Sequence, residues 1–105
     1  MPFAVKWTQI ALADVEHWVE WINKDSEFQA GRVAEAVFAL AEDITTHPMV
    51  GHLVPELKNE LIRFKIIYGR RLVYEVRKDI IVIKRVVSCR MDFQKEYSEN
   101  NPELA

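Results

Sequence analysis

The apolar period of the chain changes at Pro48, and that change limits what it can fold into. Upstream, Leu12, Val15, Val19 and Ile22 recur at helical spacing, with Trp18 and Trp21 widening the stripe. Such a stripe covers one side of an amphipathic α-helix, predicted over Gln9–Asn23 with Thr8 as its N-cap. After the polar break Lys24-Asp25-Ser26, the pattern returns in Val33, Val37, Leu40 and Ile44, with Ala30, Ala34 and Ala41 alongside. It predicts a second helix over Glu27–Thr46, capped by Ser26, weakened early by Gly31 and ended by Pro48. So short a break makes the two helices an antiparallel hairpin.

Downstream the period is two. Arg63 and Lys65 alternate with Ile62, Phe64 and Ile66 over Leu61–Ile67, and Tyr68-Gly69-Arg70 supplies a turn. Leu72, Tyr74 and Val76 then alternate with Arg71, Val73, Glu75 and Arg77. Lys78-Asp79 turns the chain again, and Ile80–Val87 is rich in β-branched residues, as a central strand is. Three strands so close in sequence form an antiparallel meander. Gly51 and Pro55 keep the preceding segment irregular. One further strand stands ahead of the helices, where Phe3, Val5 and Trp7 alternate over Phe3–Thr8.

The fold class is therefore α+β: an N-terminal strand, a helical hairpin and a three-stranded meander, with the helices on one face of the sheet. The 105 residues suit a single domain, placed at residues 1–93. Residues 94–105 read as a loose polar tail. The alternation collects Arg63, Lys65, Arg71, Glu75 and Arg77 on the face away from the helices, while Lys84 and Arg85 fit no simple alternation. Charge divides along the chain. Met1–His47 carries three cations against eight anions, Pro48–Asp92 ten cations against five anions, and the tail one cation against three. A basic half beside an acidic half points to an acidic or polyanionic partner, although strands also carry solvated Lys and Arg.

Several chemistries are excluded. Gly31, Gly51 and Gly69 stand apart, so there is no phosphate-cradling Gly-rich loop. His17, His47 and His52 are scattered, with no CxxC or HExxH, so neither a metal nor an organic cofactor is expected. Ser26, Ser88 and Ser98 lack a nucleophile-elbow context. Cys89 is the single cysteine, expected as a small buried hydrophobe, and its solitude points to a reducing cytoplasm. No secretory pattern opens the sequence, and no apolar run approaches the ~20 residues of a membrane span.

Over roughly ninety residues the chain resembles the RelE/ParE toxin superfamily of type II toxin–antitoxin and plasmid-stabilisation systems. The resemblance is carried by Val5-Lys6-Trp7-Thr8 with Ala11 and Val15, then His47-Pro48 with Gly51, and Pro55-Glu56-Leu57-Lys58. It continues through Gly69-Arg70-Arg71-Leu72-Val73-Tyr74-Glu75-Val76 and Ile81-Val82-Ile83 to Cys89-Arg90-Met91-Asp92-Phe93. It implies a bacterial growth-inhibiting toxin neutralised by a cognate antitoxin, as a homodimer or a hetero-oligomer with it. RelE-like and YoeB-like members cut mRNA on the ribosome, whereas ParE-like members inhibit DNA gyrase without being nucleases.

On the nuclease reading, Glu56 is the base, Lys58 and Arg71 stabilise the phosphorane, and Arg90 adds a contact. YoeB-like nucleases carry a His-Tyr pair where this chain has Asp92 and Phe93, and phenylalanine has no proton to give. Tyr97 is the only later phenol. The ParE-like reading needs no acid and is favoured. A superfamily member that only binds, without toxicity, is the third reading. On the bland alternatives, Glu56 is a solvated loop acid and Arg71 pairs with Glu75 along its strand. Arg63, Lys65, Arg71 and Arg77 are the expected partner-binding residues, and Glu96, Glu99 and Glu103 are acids able to screen them.

Overall fold

The computed structural model describes residues 3–90 together with Phe93 and Lys95. The elements run β1 (Ala4–Trp7), α1 (Gln9–Asn23), α2 (Glu27–Thr46), β2 (His52–Leu53), β3 (Ile62–Ile67), β4 (Arg70–Arg77) and β5 (Ile80–Ser88). Both helices keep their predicted bounds because their caps are built from the expected side chains. Thr8 and Ser26 are extended, and each hydroxyl accepts the N–H three residues on, Ala11 and Gln29, at 3.1 Å. His47 closes α2 just before Pro48.

The buried stripe of α1 is Ala11, Val15 and Trp18, displaced from the predicted one. Leu12 is 41% exposed and Trp21 66% exposed, so neither belongs to the core. In α2, Ala30, Val33, Val37, Ala41 and Ile44 are buried as predicted.

The sheet has five strands in the order β1-β5-β4-β3-β2. The meander β3-β4-β5 is antiparallel as expected, but β1 joins it parallel to β5, with Val5 opposite Ile81. The sheet is therefore mixed. β2 adds two residues antiparallel to β3 in the segment expected to be irregular. Thr8 ties the β1–α1 junction down, since its N–H donates to Ile83 O and its hydroxyl lies 3.1 Å from both Ile83 O and Lys84 O.

The helices cover one face of the sheet, where Val15, Trp18, Val37, Leu72, Tyr74 and Ile83 are core residues. The opposite face has its own smaller apolar cluster of Val54, Ile62, Phe64, Val73, Val87 and Phe93.

The cations expected on one face are divided between the two sides of the sheet. Tyr68 (φ 47°) and Gly69 (φ 75°) are both left-handed and form a two-residue turn that pairs Ile67 with Arg70. That register sets Arg63 opposite Tyr74 and Lys65 opposite Leu72, on the helix side, while Arg71 pairs with Ile66 on the open side. Counting Arg70 as a turn residue slips the register by one position and turns β3 over.

A second irregularity lies in β5. The register shifts between Val73, paired with Arg85, and Tyr74, paired with Ile83. This bulge gives adjacent cations different destinations. Lys84 approaches Glu75 on the open side, and Arg85 reaches Asp14 on α1. Asp14 accepts from Arg85 Nε (2.8 Å), Arg85 Nη2 (3.0 Å) and the Val86 N–H (2.9 Å). Cys89 is exposed, not buried. Asp92, Tyr97, Glu96, Glu99 and Glu103 lie outside the described residues. Among the described residues no helix is long and apolar enough to cross a membrane, and no group of metal-ligating side chains forms.

Candidate functional site

The open face is organised by the segment between α2 and β3. Its start is fastened to β4, where the buried Tyr74 hydroxyl donates to Pro48 O (2.8 Å) and accepts the Gly51 N–H (3.0 Å). Gly51 is required by this approach, because a Cβ there would stand 2.4 Å from the Tyr74 hydroxyl. Burial pushes the Tyr74 phenol above its ordinary value, partly offset by the Gly51 bond and by Arg63. Arg63 fixes the rest of the segment. It donates to Met49 O (3.1 Å), Gly51 O (2.9 Å) and Glu60 O (3.1 Å). Val54 is buried as an anchor, and Leu57 N–H turns back onto Val54 O at 3.0 Å.

This scaffold delivers Glu56 to Arg71. Arg71 Nη1 lies 2.9 Å from Glu56 Oε1, with the side chains 20% and 26% exposed. The same guanidinium rests over two aromatic rings, 4.7 Å from Phe64 and 4.9 Å from Phe93. Arg71 is thus paired with Glu56, not with Glu75 as the bland alternative had it. Glu75 instead accepts Arg77 Nε at 2.8 Å, with Lys84 Nζ 3.8 Å from the same oxygen.

Lys58 lies beside this second group. A cleft of about 400 Å³ is lined by Leu57, Lys58, Asn59, Ile62, Glu75, Arg77 and Lys84. Of the nuclease candidates, the structure therefore brings Glu56 and Arg71 together, with Lys58 in the neighbouring cleft. Arg90 lies past the end of β5, exposed, and is not a lining residue of that cleft. Of the expected partner-binding residues, Arg71 and Arg77 share the open face. Arg63 is committed to backbone carbonyls. Lys65 lines a different cleft, with Leu40, Asp43, Ile44, His47 and Val50.

Lys84 is the site residue that sequence reasoning missed. It is 4% exposed, and its neighbour Arg85 2%. Two adjacent cations inside a β-branched run were the available signal, since uninterrupted alternation would send one of them into the helix-side core.

The described residues thus form a five-stranded mixed sheet with a helical hairpin on one side and a charged cleft on the other. The family model described as the ParE toxin of type II toxin–antitoxin system, parDE, matches residues 5–93, and the chain belongs to that family. A chain of the chromosomal ParDE toxin–antitoxin system from P. aeruginosa has a similar fold. Its TM-score is 0.67 at 16% identity, covering 82% of this chain and 95% of that one. A chain of the RelBE2 toxin–antitoxin complex from Mycobacterium tuberculosis also shares the fold. There the TM-score is 0.54 at 22% identity, over 84% of this chain and 99% of that one. A search of curated proteins gives no match.

Proposed function

We propose that this protein is a ParE-like toxin that inhibits DNA gyrase through its protein surface, is not a nuclease, and is neutralised by a cognate antitoxin. The carrying observation is Phe93. It matches the place where YoeB-like nucleases hold a proton donor, yet here it is a buried packing residue, 5% exposed, in the apolar cluster beneath Arg71. Metal-free RNA cleavage needs an acid for the leaving 5′-oxygen, and a phenyl ring cannot act as one. The base candidate Glu56 is also held as the ion-pair partner of Arg71. An antitoxin fits the open side of the sheet, where Lys58 and Arg77 line a cleft and Arg71 lies over Phe64 and Phe93. Both candidate targets place the protein in a bacterial cytoplasm, with residues 1–93 as the toxin domain.

The second reading, a ribosome-dependent nuclease, is favoured by Glu56, Arg71 and Lys58 lying near one another. One paired assay separates the two. Purified protein is added to gyrase with relaxed plasmid, and in parallel to translating ribosomes carrying a defined mRNA. Blocked supercoiling with intact mRNA is expected. Cleaved mRNA that stays whole with Glu56→Gln overturns the proposal in favour of the nuclease. Inactivity in both assays, with harmless expression, leaves the binding-module reading. Co-expression with the neighbouring small reading frame is expected to relieve growth arrest, and the co-purified complex gives its stoichiometry.

A further inference from the structure

Trp21 and Tyr68 are large side chains that belong to neither apolar cluster of the described residues. Trp21 on α1 is 66% exposed, and Tyr68 in the β3–β4 turn is 64% exposed. Tyr68 is also left-handed at φ 47°, a turn position that favours Asn, Asp or Gly. Its ring therefore adds backbone strain without adding to the core, and such strain collects where a protein contacts ligands. Both rings line one cleft of about 490 Å³, together with Trp18, Gln29, Arg32 and Val33. Trp18 and Trp21 also line a second cleft, of about 510 Å³, with His17, Arg70 and Ser88. There the Arg70 guanidinium lies 4.5 Å over the Trp18 ring. Burial pulls the Arg70 pKa below its ordinary value, partly offset by Asp14 and Cys89.

We propose that this end of the molecule, Trp21 and Tyr68 flanked by Arg32 and Arg70, is the surface that grips the toxin's protein target. An apolar side chain of the target enters the cleft that Trp21 and Tyr68 share, and a neighbouring carboxylate meets Arg70. Trp, Tyr and Arg around a concave apolar floor are the residue types that dominate binding energy at protein interfaces. Only the identity of the target as gyrase rests on the functional reading above. A nucleic-acid strand fits less well, because α1 and α2 expose Glu16, Glu20, Glu27 and Glu35. Those acids repel successive phosphates, whereas a protein brings cations of its own to meet them.

The test compares the full chain with Tyr68→Asn, Trp21→Ala and Arg70→Gln. Each is scored for growth arrest on expression and for inhibition of purified gyrase on relaxed plasmid. Asparagine suits the left-handed turn, so Tyr68→Asn should keep or raise the urea midpoint while weakening inhibition about tenfold. Stability kept or gained beside action lost is what a merely structural residue would not show. Trp21→Ala should weaken inhibition about thirtyfold and Arg70→Gln about tenfold, and both should relieve growth arrest.

Growth arrest as strong with Trp21→Ala and Tyr68→Asn as with the wild type overturns the surface, whatever the target. A Tyr68→Asn chain less stable than the wild type overturns it too, since the ring would then support the fold. Arrest that persists but escapes the neighbouring small reading frame gives these residues to the antitoxin. Lost self-association with arrest unchanged gives them to a second copy. Hexathymidylate that quenches the wild-type tryptophans below about 1 mM, but not those of Trp21→Ala, gives them to a nucleic acid. Each of these three results also overturns the proposal. Relieved arrest in stable variants of a chain that leaves gyrase untouched keeps the surface and removes the gyrase reading. Equal gyrase inhibition by wild type and variants does the reverse, and a wild type harmless in both assays removes both.

Discussion

The two faces of the sheet use the same strands and solve burial in different ways. On the helix side two capped helices cover Leu72, Tyr74, Ile81 and Ile83, and the Asp14–Arg85 pair locks α1 to the bulge of β5. On the open side an irregular segment and Phe93 pack on Phe64 and Val73, and the rim is held by pairs of charges that water still reaches. A helix layer removes charge from reach, whereas a loop layer leaves it available to a partner. The contrast explains why the candidate site lies under the loop.

The largest test of this contrast is Asp14→Ala. It removes the carboxylate that accepts from the Arg85 guanidinium, 2% exposed, and from the Val86 N–H. A loss of about 3–5 kcal/mol is expected in urea unfolding. A loss below about 1 kcal/mol would mean that the helix layer does not depend on the pair.

Next comes Gly51→Ala. The new methyl meets the Tyr74 hydroxyl at 2.4 Å and Phe64 O at 3.0 Å, so the loop must move. About 1–3 kcal/mol of stability should go, with shifted amide resonances over residues 48–60. Unchanged resonances would show that the loop is not held by this contact.

Tyr74→Phe removes both bonds to the loop for about 1–3 kcal/mol and also changes the pH profile. Burial raises the folded phenol above the unfolded value of 10.0. Its contribution is therefore full below about pH 10 and is lost as pH rises through the folded value. The wild-type chain should lose stability in that alkaline window, and the variant should lack this component of the loss.

The smallest effect belongs to Glu56→Gln. This partly exposed pair should cost no more than about 1 kcal/mol, screened by salt, with the fold unchanged. A much larger loss would make the open face as dependent on ionic locking as the helix side.

The helices were legible almost to the residue, because Thr8, Ser26 and Pro48 mark their ends chemically. The three meander strands were also legible from alternation, but their shared faces were not. Alternation gives each strand two sides without saying which side matches its neighbour. The Tyr68-Gly69 turn decided that, and it moved Arg63 and Lys65 away from Arg71. β2 carried no readable signal, being two exposed residues. The pairing of β1 with β5 depends on contacts far apart in sequence, which no local pattern encodes. The Glu56–Arg71 pair brought two candidates together, while Lys84 stayed hidden because the bulge interrupts its strand.

The parallel seam of β1 and β5 also sets a clock. Thr8 and Ile83 are 75 positions apart, so at about 5–20 residues per second the ribosome makes one about 4–15 s before the other. Throughout that interval β1 has no strand to join, and the helical hairpin has no completed sheet to rest on. The domain can be assembled only late in its own synthesis, which leaves a newly made chain open to capture before it is finished.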